Sequence, residues 1–485
     1  SVEKVQATFT GAGTLSMANS TGATTYELLN SSAANSISNV DSVSGLTVNI
    51  SNTAQNTTFA FDTAATVGTS DSAAISLANV TAGTITLPGI ETLSIASTES
   101  ANTLTGLTAT STTSLTATGD QSLNLGTLST KIATINASAM TGALTATGTN
   151  TTANTITGGS AGDTIAGAAG NDTLTGGAGK DTLTANAGVD TISGGDGDDT
   201  IVLAGNLTAA DTISGGDGTD TLSVTAAVSA SVPLVTGIET LSTSATSQDY
   251  SKFTGTTLTT INTSGTGANF DLTNTPNDVN LYITGAAPTN VTASKAANSA
   301  TDSLTVTVGR TAGAITVTDL IVVEQEALTI NSTGAGTNTF TNIQNDDNTS
   351  LTLTGSKALT ITSSDSTILA TIDASAMTGA FVLSGNDSTT ASTITGGSAG
   401  DTLTGGTAID TINGGAGSDT IIGGGGNDIL NGEAGNDDIT GGAGKDTISG
   451  GDGNDTIDSA DGIDTLTGGA GNDTLTGNTG DDVIT

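Results

Sequence analysis

Aliphatic residues recur at every ninth position in two stretches of this chain, residues 158–223 and 396–485. Threonine usually precedes the aliphatic residue and a small polar residue usually follows it, which is the alternation of a half-buried strand. For each nine residues we therefore predict a six-residue turn and a three-residue strand with one inward side chain. One aliphatic residue cannot form a core alone, but stacked units build a continuous apolar ladder. In the second stretch its rungs are Leu403, Ile412, Ile421, Leu430, Ile439, Ile448, Ile457, Leu466, Leu475 and Ile484.

Aspartate occupies place six of the same repeat when the places are counted from the opening glycine, as in the unit from Gly468 to Thr476. Glycine dominates places one, two and four, where it permits positive φ and close approach of backbone carbonyls to an ion. Two carboxylates about 5 Å apart repel by roughly 1 to 3 kcal/mol, so a stack of them calls for a cation. The candidate metal ligands are Asp163, Asp172, Asp181, Asp190, Asp199, Asp220, Asp401, Asp410, Asp419, Asp428, Asp437, Asp446, Asp455, Asp464, Asp473 and Asp482.

One further aspartate at place six, Asp211, follows a three-residue slip and belongs to a unit without glycine, residues 206–214. Other units depart less from the pattern, with Ala161, Ala399 and Ala408 at place four. We expect the sites near such units to be weaker, and we expect the first units of each array to act as caps.

The nonapeptide closely resembles the RTX repeat over residues 158–223 and 396–485. The resemblance implies a parallel β-roll in which two units make one turn. It also implies that several Ca²⁺ ions lie between units n and n+2, held by paired carboxylates and backbone carbonyls. Such an oxygen-only, carbonyl-rich ligand set suits Ca²⁺ better than Mg²⁺. The pairs carried over to this chain include Asp428 with Asp446, Asp437 with Asp455, and Asp446 with Asp464.

The remaining chain is rich in Thr, Ser, Ala, Asn and Gly with alternating aliphatic residues, which predicts many short strands with small turns. A single helical turn is expected at residues 373–377. The predicted fold is all-β, an elongated β-solenoid in which parallel β-roll blocks alternate with Thr/Ser-rich β segments. The predicted domains are a β segment at 1–157, the first array at 158–223, a β segment at 224–395 and the second array at 396–485.

Longer phrases are also duplicated, because residues 134–143 recur almost unchanged as residues 371–380, each copy preceding an array. A "GIETL" phrase occurs at residues 237–241 and has relatives near 91 and 326. Together with the arrays, this pattern resembles the S-layer proteins that Gram-negative bacteria export by type I secretion. The resemblance implies a structural subunit that assembles with further copies of itself into a calcium-dependent lattice on the cell surface. Attachment to lipopolysaccharide would need a separate domain, which is not apparent in this sequence.

The formal charge is −39, with 8 basic residues, and the two arrays hold 26 of the 47 acidic residues. Nucleic acid and anionic membrane surfaces carry the wrong charge to be direct partners. The chain has no cysteine, so Ca²⁺ could replace disulfides as the staple of an extracellular protein. No apolar run approaches the length that a membrane-spanning helix needs. The sequence opens without a signal peptide and stops in phase with the repeat, so we expect it to be part of a longer protein.

An enzyme is not expected, although Ser160 and Ser398 stand in formal G-x-S-x-G motifs. A nucleophile elbow needs a histidine base, and the chain contains no histidine. Two other readings stay open beside the S-layer subunit. One is a stalk or binding segment of a secreted RTX adhesin or biofilm protein, and the other is the non-catalytic RTX part of a secreted enzyme or toxin.

Overall fold

The structure is a computed structural model of the chain, and it is all-β. It describes residues 4–17, 22–40, 44–61, 66, 68, 70–228, 231–232, 234–245, 247–253, 256, 258–263, 270–275, 279–284, 290–295, 303–323, 327–345, 350–364, 370–386 and 390–485. Across these residues the only helix is one 3-10 turn, Tyr250–Lys252. In the same ranges no helix has the length and apolar character to cross a bilayer.

The chain divides into two compact units, the first of which comprises Ser1–Val224, Ala230–Thr240 and Phe253–Thr257. Its described strands wind into parallel coils, with each strand hydrogen-bonded to one on the next coil. The strands are β1 (Lys4–Ala7), β2 (Gly13–Ser16), β3 (Thr25–Leu29), β4 (Asn35–Val40), β5 (Leu46–Thr53), β6 (Thr57–Phe61), β7 (Ser72–Val80), β8 (Thr84–Thr86), β9 (Thr92–Thr98), β10 (Asn102–Thr103), β11 (Gly106–Thr108), β12 (Ser114–Gly119), β13 (Leu123–Asn124), β14 (Thr127–Leu128), β15 (Thr134–Met140), β16 (Leu144–Thr147), β17 (Thr155–Thr157), β18 (Thr164–Ala166), β19 (Thr173–Ala178), β20 (Thr182–Thr184), β21 (Thr191–Asp196), β22 (Thr200–Ala204), β23 (Thr212–Asp217), β24 (Thr221–Val224) and β25 (Val235–Thr236).

Three sheets run along the first unit. In the first sheet the strand order is β1-β3-β5-β7-β9-β12-β15-β17-β19-β21-β23-β25, and in the second it is β2-β4-β6-β8-β11-β14. The third sheet contains β10-β13-β16-β18-β20-β22-β24 in that order. The second sheet ends at β14, so the coils that follow have two strands instead of three. The third sheet begins only at β10, so among the described strands three occur per coil only in the coils β9–β11 and β12–β14, and the first array is a two-sheeted roll.

The second unit comprises Thr225–Ser229, Leu241–Lys252 and Leu258–Thr485. From the unit boundary onward the strands are β26 (Thr240–Thr243), β27 (Ser247–Asp249), β28 (Thr260–Thr263), β29 (Phe270–Thr275), β30 (Val279–Ile283), β31 (Asn290–Lys295), β32 (Ser303–Val308), β33 (Thr316–Val323), β34 (Ala327–Ser332), β35 (Asn338–Asn345), β36 (Ser350–Gly355), β37 (Leu359–Ser364), β38 (Thr371–Met377), β39 (Phe381–Leu383), β40 (Thr393–Thr395), β41 (Thr402–Thr404), β42 (Thr411–Ala416), β43 (Thr420–Gly425), β44 (Ile429–Ala434), β45 (Asp438–Ala443), β46 (Thr447–Asp452), β47 (Thr456–Asp461), β48 (Thr465–Ala470), β49 (Thr474–Thr476) and β50 (Val483–Ile484). The unit is a two-sheeted parallel roll, with β27-β29-β31-β33-β35-β37-β39-β41-β43-β45-β47-β49 in one sheet and β28-β30-β32-β34-β36-β38-β40-β42-β44-β46-β48-β50 in the other.

Strand register confirms that two nonapeptides make one coil of a parallel roll. In the second array Ile412 of β42 pairs with Leu430 of β44, the equivalent residue two units later. In the first array the slip lengthens the spacing, so that Ile192 pairs with Ile213 and Ile201 with Leu222, each 21 residues apart. The extra residues lie between strands, where added length costs little. The Thr/Ser-rich segments form parallel coils too, so the predicted solenoid fold is confirmed.

The apolar ladder lies where the repeat predicts it. From Leu403 to Leu466 the aliphatic side chains at place eight are at most 1% exposed. In the last described coil the cover is lost, and Ile484 is 52% exposed. Burying such a side chain stabilises the fold by about 1.5 to 3 kcal/mol, and each coil contributes two of them.

Most strands of the arrays are longer than predicted. Strands such as β43 continue past place nine into places one to three of the next unit, so they span six residues and not three. The glycine at place two makes this possible, because it bends the strand at positive φ while still pairing with the next coil. Gly442 has φ +113° and pairs with Gly424, and a Cβ on Gly442 would collide with the carbonyl oxygen of Gly424.

The predicted helical turn at residues 373–377 is wrong, because these residues belong to β38. The local signal was an Asx turn, in which the Ser375 N–H donates to Asp373 Oδ1 at 2.9 Å. Pairing of Leu351 with Ile372 holds the segment in the sheet, with a bulge beside the turn. The four-segment division by composition stays a prediction, since the two compact units reflect packing and not composition.

Candidate metal centre

The place-six aspartates stack into columns, one residue per coil. In each column the backbone N–H of one aspartate donates to Oδ1 of the aspartate one coil later. The three pairs expected from the resemblance are brought together in this way, from Asp428 to Asp446 at 2.8 Å, from Asp437 to Asp455 at 2.9 Å and from Asp446 to Asp464 at 2.8 Å. The same bond joins the other members, including Asp190 with Asp211 across the slip at 2.8 Å.

Burial of the columns is nearly complete. Fifteen place-six aspartates are at most 3% exposed: Asp163, Asp172, Asp181, Asp190, Asp199, Asp211, Asp220, Asp401, Asp410, Asp419, Asp428, Asp437, Asp446, Asp455 and Asp464. Asp473 and Asp482 lie in the last coil and are half-buried. Asp211, left out of the predicted ligands, is therefore placed in a column with the others.

The second carboxylate oxygen, Oδ2, is buried without a hydrogen-bond partner in ten of these aspartates. They are Asp172, Asp181, Asp199, Asp220, Asp419, Asp428, Asp437, Asp446, Asp455 and Asp464. A buried, ionised oxygen without a partner is costly, because a carboxylate can only accept hydrogen bonds. In these aspartates the protein N–H groups bind Oδ1 and leave Oδ2 without a donor. Because such an oxygen recurs in successive coils, the columns contain a row of positions that suit positive charge.

Glycine at place one leaves room beside nine of these ten oxygens, and Ser459 takes that place in the unit of Asp464. A Cβ built on Gly441 would lie 2.7 Å from Asp446 Oδ2 and 2.7 Å from the carbonyl oxygen of Ser459, one coil later. At Gly423 the corresponding contacts are Asp428 Oδ2 at 2.7 Å and a glycine carbonyl oxygen at 2.5 Å. A carboxylate oxygen and a backbone carbonyl oxygen therefore face the same space, which any side chain would fill.

Burial raises the pKa of Asp181, Asp190, Asp419 and Asp428, and neighbouring carboxylates of the column raise it further. The pKa of Asp181 rises to about 7, chiefly through burial and in part through Asp163 and Asp199. The pKa values of Asp190, Asp419 and Asp428 rise to about 6, again chiefly through burial. Without a cation, burial and stacking therefore disfavour the charged form of these four aspartates relative to a carboxylate in water.

The residues present fit calcium. Within the described ranges no three acidic side chains converge on one point, so an ion would be shared between stacked carboxylates and backbone carbonyls. Ca²⁺ tolerates such irregular oxygen sets, whereas Mg²⁺ demands near-octahedral geometry. The residues that would hold it are the ten aspartates with an open Oδ2 and the place-one carbonyl groups facing them. Bound Ca²⁺ would supply the positive charge that the columns lack.

One carboxylate that closes a column was missed from the sequence. The backbone N–H of Asp220, the last aspartate in its column, donates to Glu239 Oε2 at 2.9 Å. Glu239 belongs to the "GIETL" phrase, and Glu91 in the related phrase accepts the N–H of Asp71 at 2.8 Å. The spacing between Asp220 and Glu239, close to one coil, was the available signal.

The two serines of the formal G-x-S-x-G motifs lie in turns that enter the arrays. The Ser160 N–H donates to the carbonyl oxygen of Met140, and that of Ser398 to the carbonyl oxygen of Met377, both at 3.1 Å. Both serines are exposed and precede short strands, not the helix of a nucleophile elbow.

Comparison with known proteins identifies the arrays. The model of the RTX calcium-binding nonapeptide repeat (4 copies) matches residues 149–183, 175–205, 208–225, 395–430, 422–457, 431–466 and 458–485. These matches coincide with the aspartate columns and leave most of the Thr/Ser-rich coils uncovered. No curated protein matches the chain.

Proposed function

We propose that this chain, which carries two arrays of RTX calcium-binding nonapeptide repeats, is a non-catalytic structural subunit of an extracellular surface layer. In this proposal the chain binds several Ca²⁺ ions and assembles with further copies of itself into a two-dimensional lattice. RTX repeat proteins are typically secreted, and millimolar extracellular calcium suits sites of their usual affinity, about 10⁻⁴ to 10⁻³ M.

The observation that carries the proposal is the row of buried Oδ2 atoms without partners in the aspartate columns. These atoms lie beside the same strands that carry the apolar ladder, so binding an ion and stacking a coil are one event. Where calcium is scarce, repulsion within the columns would oppose folding. Where it is abundant, the coils become rigid, as a protein layer under mechanical stress requires.

The Thr/Ser-rich coils support a structural role as well. They are built of the same parallel stacking as the arrays, and each coil needs only its neighbours to bury its core. Such coils lengthen a rod without adding a site for chemistry. Attachment to lipopolysaccharide through another domain belongs to this proposal, but its support is the sequence resemblance alone.

Electron microscopy of the purified protein tests the proposal. In millimolar Ca²⁺ we expect ordered two-dimensional arrays, and we expect them to dissolve in EDTA. The variant Asp446→Asn should weaken the arrays, because it alters a buried column. The matched control is Asp452→Asn, which removes an equal charge from an exposed position three places before the next column residue. Single rods at every calcium concentration would contradict the lattice and favour a stalk of an RTX adhesin.

A further inference from the structure

Both carboxylate oxygens are hydrogen-bonded in three aspartates that begin columns. Asp401 Oδ1 accepts the N–H of Phe381 at 2.7 Å, and its Oδ2 accepts the N–H of Gly397 at 2.6 Å. Asp410 is held in the same way by Ser392 and by Gly406, at 2.8 and 2.7 Å.

The first array opens in the same manner. Asp163 Oδ1 accepts the N–H of Leu144 and Oδ2 accepts that of Gly159, both at 2.6 Å. Asp172, which opens the other column, differs, because both N–H-bearing groups of Asn154 bind its Oδ1 and its Oδ2 has no partner. Three of the four column entrances therefore have a carboxylate saturated by the protein.

The saturated aspartates come first and the unsatisfied ones follow without interruption in the second array. After Asp401 and Asp410, every buried column aspartate from Asp419 to Asp464 has an Oδ2 without a partner. The boundary between the two states is one coil wide. It separates residues that have the same place in the same repeat, so the nonapeptide pattern alone does not create it.

In the second array the difference accompanies a change of backbone conformation at place two. In the units from Asp419 to Asp464 the residue at place two has positive φ and belongs to a six-residue strand, as at Gly424 with φ +108°. Gly397 and Gly406 lack positive φ and follow the three-residue strands β40 and β41. Their N–H groups are therefore free to turn toward the carboxylate of their own unit.

We propose that Asp163, Asp401 and Asp410 are calcium-independent caps and not calcium ligands, and that they fix the coil on which the first ion-binding coil of each array stacks. Two main-chain N–H groups already neutralise much of each carboxylate, and hydrogen bonds to a charged acceptor are the strong kind. Calcium-driven folding then proceeds outward from a preformed entrance coil. The inference rests on the proposed calcium binding and states which aspartates of the columns bind the ions and which do not.

The test compares Asp401→Asn with Asp446→Asn in the full chain, and Asp452→Asn serves as the control. Bound calcium is counted by equilibrium dialysis and elemental analysis. Asp401→Asn should leave the number of bound ions unchanged, but it should slow calcium-induced folding about tenfold, because its amide nitrogen would face one of the two N–H groups, a donor against a donor. Asp446→Asn should remove at least one ion.

A measurement on the unaltered protein covers the case in which Asp401→Asn fails to fold. In EDTA, the amide protons of Phe381 and Gly397, which bind Asp401, should stay at least about tenfold more protected from exchange than those of Asp428 and Asp437. Loss of a bound ion in folded Asp401→Asn, or equal exchange at the two sets of amides, would contradict the proposal that these aspartates are calcium-independent caps. An unaltered protein that binds no calcium would instead overturn the proposed function.

Discussion

Two buried asparagines of the Thr/Ser-rich coils, Asn102 and Asn338, differ from the buried aspartates of the nonapeptide coils in how their polar atoms are satisfied. In the first kind, Asn102 is 1% exposed and its Oδ1 accepts the N–H of Val80 at 2.8 Å. Its amide nitrogen donates to the Leu77 and Ser100 carbonyl oxygens and to Ser97 Oγ, at 3.1, 2.8 and 2.9 Å. In the second kind, ten buried aspartates keep one oxygen without a partner.

The difference follows from side-chain chemistry. An amide both donates and accepts, so the surrounding carbonyl and N–H groups of a coil can satisfy it completely. Asn338 repeats the arrangement, with Oδ1 accepting the Ile315 N–H and the amide nitrogen bound to Val308, Ser332 and Thr333. A carboxylate only accepts, and a column of them accumulates charge. We therefore expect the first kind of coil to fold by itself and the second kind to fold with an ion.

The largest expected effect is loss of the arrays on removal of calcium. In EDTA, amide exchange in the coils from Thr411 to Ala470 should rise about a hundredfold or more, because each coil loses the charge that offsets its carboxylates. The Thr/Ser-rich coils from Thr92 to Met140 should keep their protection. Exchange mass spectrometry with and without Ca²⁺ measures both regions in one sample. Equal loss in both regions would contradict the comparison.

Acid should replace calcium in part. The folded-state pKa of Asp181 is about 7 and those of Asp190, Asp419 and Asp428 are about 6, against an ordinary value of 3.8. Between these values the folded state binds more protons than the unfolded state, so the free energy of unfolding falls as pH rises. Calcium-free arrays should therefore be most stable near pH 4 and lose that stability between about pH 4 and 7.

Thermal melting of calcium-free protein at several pH values checks this sign. High salt serves as the control, because it screens the repulsion among exposed carboxylates more than among buried ones. With saturating Ca²⁺ the trend should reverse, since protons compete with the ion for the same oxygens. Stability of the calcium-free arrays that rises with pH would show that the columns are not the groups that titrate.

A smaller effect is expected from Asn102→Ala. The change leaves the buried N–H of Val80 and several carbonyl groups without a partner, which should lower the free energy of unfolding by about 2 to 4 kcal/mol. Denaturant unfolding should give the same loss with and without Ca²⁺. The control is Asn136→Ala, because Asn136 is exposed and accepts only the Ser138 N–H. A loss that vanishes in Ca²⁺ would place Asn102 in the calcium-dependent part.

The smallest effect should come from the exposed asparagines at place five. The Asn454 and Asn472 N–H groups donate to Asn436 and Asn454 Oδ1 at 2.7 and 2.8 Å. Water competes for these groups, so Asn454→Ala should cost about 1 kcal/mol or less. Calorimetric melting in Ca²⁺ measures it beside Asn102→Ala. A cost as large as that of Asn102→Ala would show that burial does not set the scale.

The sequence was sufficient to predict the structural features that recur in every nonapeptide. The two-unit register, the buried ladder through Leu403 and Ile448, and the stacking of Asp428 on Asp446 all follow from a fixed period and one inward side chain. The fold class followed from the same periods. These features depend on many copies of one local choice, so a single departure does not obscure them.

Features that depend on contact between coils could not be predicted. The strands extend to place three because residues such as Gly442 pair with the preceding coil. Residues 373–377 belong to a strand because they pair with the neighbouring coil, although they contain a local Asx turn. Asn102 is one asparagine among many, and only the fold shows that carbonyl groups surround it. Asp401 Oδ2 has a partner and Asp446 Oδ2 has none, although the residue at place two is glycine in both units, Gly397 and Gly442, and it is the φ of that glycine that differs.

The alternation of units between two sheets constrains how the gene can change length. Because one coil takes two nonapeptides, duplicating a single unit would send every later strand to the opposite sheet and exchange the two sides of the roll. Duplicating a pair of units would preserve both sides and add one rung to each column. Natural length variants of such arrays should therefore differ by whole pairs of units, with ion capacity inherited in pairs.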